Sequence, residues 1–174
     1  MPAHAAPRVL TVEDNPIVRA DLRLVLEEAG FSVCADARDG VEAIQLTREH
    51  DPDVILLDLA LPRLGGVDAT RLIRQERNVP IVALTGYGTP ALVEAVMEAG
   101  ASSCVLKPFA EEEVVGALLD ALATHEAAIV EAEREESRGA LARMLGLLGY
   151  PEDWAAELER RSYAAGKVWR EGAL

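Results

Sequence analysis

The sequence predicts an α/β fold, a doubly wound parallel sheet, from three observations. Short runs of branched aliphatic residues have the length of strands that are buried on both faces. Segments with helical periodicity alternate with these runs and leave little spare loop. Five such alternations with right-handed crossovers build a doubly wound sheet. The strands are predicted at residues 8–12, 31–35, 54–58, 80–85 and 103–106.

Residues that start and stop helices place the connections in order. Asn15 can cap and Pro16 can open the first helix, which stops at Gly30. Asp51 and Pro52 break the second helix, and the third follows the one long glycine-rich loop. The helices are predicted at residues 16–29, 41–49, 67–76, 90–99 and from 111 onward, and the loop at residues 61–66.

Composition narrows the class of protein. A chain of 174 residues suits one ordinary domain plus a small appendage. Its apolar runs fall short of the roughly 20 residues that span a bilayer, and the N-terminus lacks a signal-peptide pattern, so we expect a cytoplasmic protein. The net charge of -13 argues against electrostatic binding of nucleic acid. Cys34 and Cys104 fall in predicted strands, which favours small core residues over a disulfide or a metal pair.

Five polar residues each stand where an apolar run ends. Glu13 and Asp14 follow the first strand, Asp58 the third, Thr85 the fourth and Lys107 the fifth. In an open α/β sheet, groups at the carboxyl ends of the strands converge on one crevice. The sequence therefore predicts a crevice that contains a hydroxyl, an ammonium and an acidic cluster, a name we use below for Glu13, Asp14 and Asp58.

These motifs resemble those of the receiver domain of bacterial response regulators. The matching motifs, in order and spacing, are Glu13-Asp14, Asp58 in Leu-Leu-Asp-Leu-Ala-Leu-Pro, Thr85-Gly86 and Lys107-Pro108-Phe109. The resemblance divides the chain into a disordered N-terminus at 1–7, a receiver domain at 8–122 and a helical extension at 123–174. It implies a flavodoxin-like sheet with strand order 2-1-3-4-5. It also implies a protein that accepts phosphate on an aspartate from a partner histidine kinase, rather than a dedicated enzyme.

Elementary chemistry agrees with the roles that this resemblance assigns. Three carboxylates in one crevice repel one another unless a hard divalent cation joins them. The acidic cluster would therefore hold Mg²⁺, with the backbone carbonyl of Ala60 as the ligand that the family supplies from that position. Asp58 would be the nucleophile that forms an aspartyl phosphate. Lys107 would pair with the phosphoryl oxygens, and Thr85 would donate a hydrogen bond to one of them.

Two positions depart from the family pattern. Cys104 stands three residues before the lysine, where the family usually has Tyr or Phe, a ring that swings inward behind the moved threonine. A thiol does not exclude the same volume, so we expect a different readout near strands four and five. Ala60 has no side chain to steer a hydrolytic water, while Tyr87 could lean over the site. Ala60 also argues against a haloacid-dehalogenase-like phosphatase, which has a second aspartate there.

The spacing beyond residue 111 predicts a helix that runs past Ala123, where the family's fifth helix usually ends. Apolar spacing of three and four predicts a short heptad seam at Val115, Leu118, Leu122, His125, Ile129 and Ala132. We expect this seam to form a homodimer; the alternative is packing on the chain's own C-terminal segment. A further amphipathic stretch ends at Gly149. A last helix, at about 151–169, carries Trp154 and Trp169, which suggest a docking face or packing onto the receiver.

Two classes of output therefore compete. In the first, the extension dimerises or docks on a protein target. In the second, it binds RNA or DNA and loosely resembles helical antiterminator modules. Its basic residues would then be Arg138, Arg143, Arg160, Arg161, Lys167 and Arg170. From residue 120 onward the chain has eleven acids against seven bases and no helix-turn-helix pattern, so the first class is favoured.

Overall fold

The computed structural model describes residues 6–86, 88–151, 153–154, 156–157 and 160. Contacts within the chain divide it into two units, Met1–His125 and Glu126–Leu174. The predicted boundaries of the disordered N-terminus, receiver and extension stay predictions, and residues 1–5 of that N-terminus lie outside the described part. Within the described residues, none of the helices combines the length and the apolar character needed to cross a bilayer.

Strands and helices alternate through the first unit, as the sequence predicts. The strands are β1 (Arg8–Val12), β2 (Ser32–Ala37), β3 (Val54–Asp58), β4 (Ile81–Thr85) and β5 (Ser103–Leu106). The helices are α1 (Pro16–Glu28), α2 (Gly40–His50), α3 (Gly66–Glu76), α4 (Pro90–Glu98) and α5 (Glu111–Leu147). All neighbouring strands are parallel, and their order is β2-β1-β3-β4-β5. This confirms the flavodoxin-like order 2-1-3-4-5.

Side-chain caps explain where the first two helices begin. The side chain of Asn15 accepts hydrogen bonds from the N–H groups of Ile17 and Val18, and Pro16 is the first residue of α1. The second helix begins at Gly40, just before the predicted position, because Asp39 caps it.

The sequence predicts that the second strand ends at residue 35, and the structure corrects this end to Ala37. Asp36, within the added part of the strand, accepts hydrogen bonds from Thr11 Oγ1 and from Arg23. Val12 pairs with Ala37 in the sheet, so β2 continues to the level at which β1 ends. A satisfied polar residue is therefore tolerated on this edge strand.

Apolar side chains form two core clusters. Neighbouring strand residues such as Val9 and Leu10 fall in different clusters, and successive side chains of a strand point to opposite faces of the sheet. One cluster therefore lies on each face. Helices α2, α3 and α4 cover the first cluster, and α1 and α5 cover the second. This two-sided cover is the doubly wound arrangement. Cys34 and Cys104 are free thiols that pack against the first cluster while only partly buried, so they lie at its margin.

Helix α5 continues past Ala123 to Leu147, as predicted. The residues of the predicted heptad seam, however, do not share one environment. Leu118 is fully buried in the second core cluster, and Val115 and Leu122 pack against that cluster. The first half of the seam therefore belongs to the receiver's own core, because α5 covers a face of the sheet. Ile129 keeps 39% of its surface exposed.

The end of α5 matches the sequence expectation. Gly149 has a φ of +81°, and Tyr150 N–H donates to the carbonyl of Leu145, which is how glycine terminates a helix. Tyr150 and Trp154 then lie with ring centroids 5.0 Å apart. Trp154 is helical and exposed, but Trp169 of the predicted last helix lies outside the described residues.

Candidate functional site

The predicted site residues lie at the carboxyl ends of four neighbouring strands. Glu13 follows β1, Asp58 ends β3, Thr85 ends β4 and Lys107 follows β5. The strands end at similar levels because Asp58 pairs with Leu84 and Thr85 pairs with Leu106. The sheet therefore delivers these polar groups to one edge, where parallel α/β sheets bind ligands.

The acidic cluster is compact. Each of Glu13, Asp14 and Asp58 offers a carboxylate oxygen, and these oxygens all lie within 4.8 Å of one another. Glu13 is 2% exposed and Asp58 5% exposed, while Asp14 is open to solvent. Oxygen ligands at this spacing suit a hard divalent cation, and the open side leaves room for the waters that Mg²⁺ retains.

Lys107 joins two of these carboxylates. Its Nζ lies 2.5 Å from Oδ2 of Asp58 and 2.9 Å from Oε2 of Glu13. Burial alone would lower the pKa of Lys107, but its hydrogen bonds and charge attraction to Asp58 and Glu13 outweigh burial and raise the pKa. The lysine is therefore a fixed positive charge within the site.

Glu13 has an elevated proton affinity. Burial raises its pKa most, and the negative charge of Asp58 raises it further. Hydrogen bonds from Lys107 and from the N–H of Asn15, which donates to Oε1 at 3.0 Å, act in the opposite direction. The net pKa is raised, so the charged form of Glu13 lacks full compensation from the protein. An added cation would supply it.

The backbone around these acids is held by contacts that the sequence analysis missed. Arg19 Nη1 donates to the carbonyl of Glu13 at 2.6 Å and approaches that of Asp14 at 3.4 Å. The N–H of Ala60 donates to Oδ1 of Asp58 at 3.0 Å. A basic residue one turn into the helix after the acidic pair was the available signal for Arg19. The assignment of Ala60's carbonyl as a metal ligand stays a prediction.

Thr85 and Lys107 are coupled through the backbone. The N–H of Lys107 donates to the carbonyl of Thr85 at 2.8 Å, and Thr85 is 2% exposed. The two residues predicted to contact the phosphoryl group therefore lie on one ladder of adjacent strands.

Cys104 occupies the position where the family usually has an aromatic ring. Cys104 pairs with Ala83 of β4 and is half-buried, and burial raises the pKa of its thiol. Leu106 instead approaches the loop after β4, since a Cβ on Gly88 would lie 2.4 Å from Leu106 Cδ2. Tyr87 lies outside the described residues, so its predicted place over the site stays a prediction.

The chain is similar to known proteins in both sequence and structure. The family model of the response regulator receiver domain matches residues 9–119. The transcriptional regulatory protein PdtaR of Mycobacterium tuberculosis is 36% identical over 148 residues, which cover 81% of this chain and 72% of PdtaR. The chemotaxis protein CheY of Thermotoga maritima is 33% identical over 112 residues, 64% of this chain and 93% of CheY.

Solved structures agree. A two-component response regulator of the LuxR family from Aurantimonas sp. SI85-9A1 is 40% identical, with a TM-score of 0.64 and coverage of 68% of this chain and 86% of that one. The response regulator domain of Thermotoga maritima CheB is 26% identical, with a TM-score of 0.61 and coverage of 69% and 96%. Both similarities involve about two thirds of the present chain.

Proposed function

Because the chain belongs to the response regulator receiver family, we propose that it accepts a phosphoryl group on Asp58 from a partner histidine kinase, with Mg²⁺ bound by the acidic cluster. One observation carries the proposal: three carboxylates lie together at the strand ends, with Lys107 bonded to the one in the middle of the sheet. A solvated surface patch gives no reason for two buried acids there. We expect the reaction to take place in the cytoplasm.

In this proposal Asp58 acts as the nucleophile. Its carboxylate is anchored from two sides, by the N–H of Ala60 on Oδ1 and by Lys107 on Oδ2, which restricts the attacking oxygen to one orientation. A carboxylate oxygen forms the O–P bond as the P–N bond to the kinase histidine breaks, and the departing imidazole takes up a proton. The cation supplies charge neutralisation for the phosphoryl oxygens.

Lys107 and Thr85 then stabilise the product. The ammonium that pairs with Asp58 in the free protein would contact the added phosphoryl oxygens, so this positive charge is already in the site before phosphorylation. The hydroxyl of Thr85 would donate to another phosphoryl oxygen. In this proposal the protein is a phosphoacceptor that catalyses its own phosphorylation and hydrolysis and is not a dedicated enzyme.

The test is incubation with acetyl phosphate and Mg²⁺, followed by intact-mass measurement. We expect the wild type to gain the mass of one phosphoryl group and Asp58→Asn to gain none. Asp68→Asn is the matched control, because Asp68 is a solvent-exposed carboxylate on α3. Equal labelling of wild type and Asp58→Asn, or no labelling of wild type, contradicts the proposal.

For the output, we propose regulation through the helical extension. The stretch aligned with PdtaR spans 148 residues and is longer than residues 9–119, so similarity to a transcriptional regulatory protein reaches beyond the receiver. This observation keeps both output classes open, a protein contact or homodimer and an RNA- or DNA-binding module.

Side-chain pairing favours the protein contact. Three arginines of the extension, Arg134, Arg138 and Arg160, each form an ion pair with a glutamate on the same helical turn, which leaves less positive charge for phosphates. Among the described residues of the same unit, large apolar side chains that are exposed include Ile129, Val130, Met144, Leu147, Leu148, Tyr150 and Trp154.

Two measurements separate the classes. If the extension forms the homodimer, light scattering finds the full chain dimeric and a chain that ends at His125 monomeric; two monomers would exclude the dimer. The cut is placed after His125 because Ala121 belongs to the receiver core. Salt-dependent binding of mixed RNA or DNA by the full chain, lost on the same truncation, would favour the nucleic-acid module instead.

A further inference from the structure

The loop between β3 and α3 contains a strained turn at Arg63. This arginine has a φ of +63°, and the N–H of Leu64 donates to the carbonyl of Pro62 at 2.7 Å. A three-residue turn with positive φ at its centre is rare and unfavourable for a residue other than glycine. Such a conformation persists where surrounding contacts hold it in place.

Arg63 is held by a buried acid on the neighbouring helix. Its Nη1 lies 2.9 Å from Oδ2 of Asp39, and Asp39 is only 4% exposed. The other carboxylate oxygen, Oδ1, accepts from the N–H groups of Val41 and Glu42 at 2.8 and 3.0 Å and caps α2. The guanidinium therefore compensates a buried charge whose second oxygen is already committed to the helix.

The backbone makes a second attachment at the same place. The N–H of Gly40 donates to the carbonyl of Leu64 at 3.2 Å. A Cβ on Gly40 would lie 2.4 Å from that carbonyl oxygen, so only glycine allows this approach. The loop is thus fixed to the start of α2 by one ion pair and one backbone hydrogen bond.

The other end of the loop lies in the phosphorylation site. Ala60 donates its N–H to Asp58, and the N–H of Gly66 donates to the carbonyl of Leu59 at 3.1 Å. The segment from 59 to 65 is therefore held both at the acidic cluster and at Arg63. Ala60 makes the first of these attachments with its N–H, and its carbonyl, the expected metal ligand, belongs to the next peptide group along the loop toward Arg63.

We propose that the Arg63–Asp39 ion pair is a positioning device for the metal site, which keeps the loop in the conformation that presents the carbonyl of Ala60 to the cation. The inference rests on the proposed function of Asp58 and the acidic cluster. Arg63 and Asp39 act through the loop and contact neither phosphate nor metal. Loss of the pair raises the Mg²⁺ concentration for half-saturation about tenfold, the size of effect seen when groups that orient metal ligands are removed.

The variants separate charge, strain and helix capping. Arg63→Ala removes the ion pair and keeps the unfavourable φ, whereas Arg63→Gly removes both the pair and the strain. Asp39→Asn retains an oxygen that can cap α2 while removing the charge. Arg63→Lys retains the charge, and because the contact uses a single Nη1 atom, it restores most of the affinity. The control is Arg71→Ala, which removes an Arg–Asp pair within α3.

Mg²⁺ binding is measured by calorimetry on the full chain without a phosphodonor, and labelling by acetyl phosphate is followed across Mg²⁺ concentrations. We expect Arg63→Ala, Arg63→Gly and Asp39→Asn to need more Mg²⁺ and to approach the wild-type rate at saturation, while Arg71→Ala matches wild type. A lower melting temperature without a shift in half-saturation overturns the positioning role, as does wild-type affinity in Arg63→Gly. Absence of Mg²⁺ binding or labelling in the wild type contradicts the proposed function instead.

Discussion

Lys107 Nζ lies 2.5 Å from Asp58 Oδ2 and joins the ends of β5 and β3. Because β4 lies between these two strands in the sheet, the lysine side chain reaches across the end of β4, where Thr85 is buried. The same ammonium contacts Glu13 after β1. One positive charge therefore links the outer and central strands at the edge where the chemistry is proposed.

Removal of this charge should destabilise the fold. Lys107→Met leaves the carboxylates of Glu13 and Asp58 buried without their ammonium partner. We expect the free energy of unfolding to fall by about 3 kcal/mol. This is the low end for a broken buried ion pair, because Lys107 is partly exposed. Urea denaturation without divalent cations measures it. Arg71→Met, which breaks an exposed pair, should cost less than about 1 kcal/mol. Equal costs for the two variants would contradict the prediction.

The contribution of Glu13 to stability should decrease as the pH rises. Its pKa is raised above the ordinary value of 4.5, chiefly by burial, so the folded state binds the proton more tightly than the unfolded state does. The stabilising contribution is present below pH 4.5 and is lost as the pH rises through the folded-state pKa. Glu13→Gln removes this dependence, and its stability relative to wild type should increase over that window. Denaturation of both proteins at a series of pH values, without divalent cations, measures this difference in stability. Parallel stability profiles for the two proteins would exclude a contribution of Glu13 to the pH dependence.

Gly66 should tolerate no side chain. A Cβ there would lie 2.6 Å from both the carbonyl oxygen of Asp58 and the Cα of Leu59, which are backbone atoms that move only with the strand. We expect Gly66→Ala to lose about 1–3 kcal/mol and to label more slowly with acetyl phosphate. Gly116→Ala is the control, since a Cβ at this position of α5 meets nothing within 4 Å. It should gain about 0.5–1 kcal/mol from reduced backbone entropy, and a loss as large as that of Gly66→Ala would count against the steric argument.

The two halves of the heptad seam should respond differently when a side chain is shortened to alanine. Leu118→Ala creates a cavity in the receiver core and should cost about 2–5 kcal/mol without changing the association state. Ile129→Ala alters a side chain that is 39% exposed and should cost at most about 0.5 kcal/mol. If the extension forms the proposed homodimer, Ile129→Ala weakens it. Thermal denaturation measures the stability of each variant, and light scattering measures its association state. A dimer weakened only by Leu118→Ala would contradict the assignment of Leu118 to the core and of Ile129 to the dimer contact.

The sequence was most informative where local chemistry determines structure. Apolar runs that end in polar residues predicted the strands. They also predicted that the acidic cluster lies at one edge of the sheet, because the carboxyl ends of parallel strands share that edge. Asn15 and Pro16 predicted the start of α1 for an equally local reason.

Features that depend on distant partners were missed. The second strand extends past residue 35 because Asp36 is held by Thr11 and Arg23, partners that are remote in sequence. The spacing of Leu118 and Ile129 is the same for a core-facing stripe and for a dimer seam, and only tertiary packing shows which residue is covered. Arg63 carries no local signal, since its role depends on a buried acid 24 residues away.

The charge of the site has a kinetic consequence. Three carboxylates outnumber the two positive charges beside them, the ammonium of Lys107 and the guanidinium of Arg19, so the site has an excess of negative charge that repels an anionic phosphodonor arriving before a divalent cation. We therefore expect an ordered reaction in which the cation binds first and the donor second. An initial-rate study that varies both should show donor binding only to the cation-loaded protein, so the supply of Mg²⁺ would limit how soon a signal is registered.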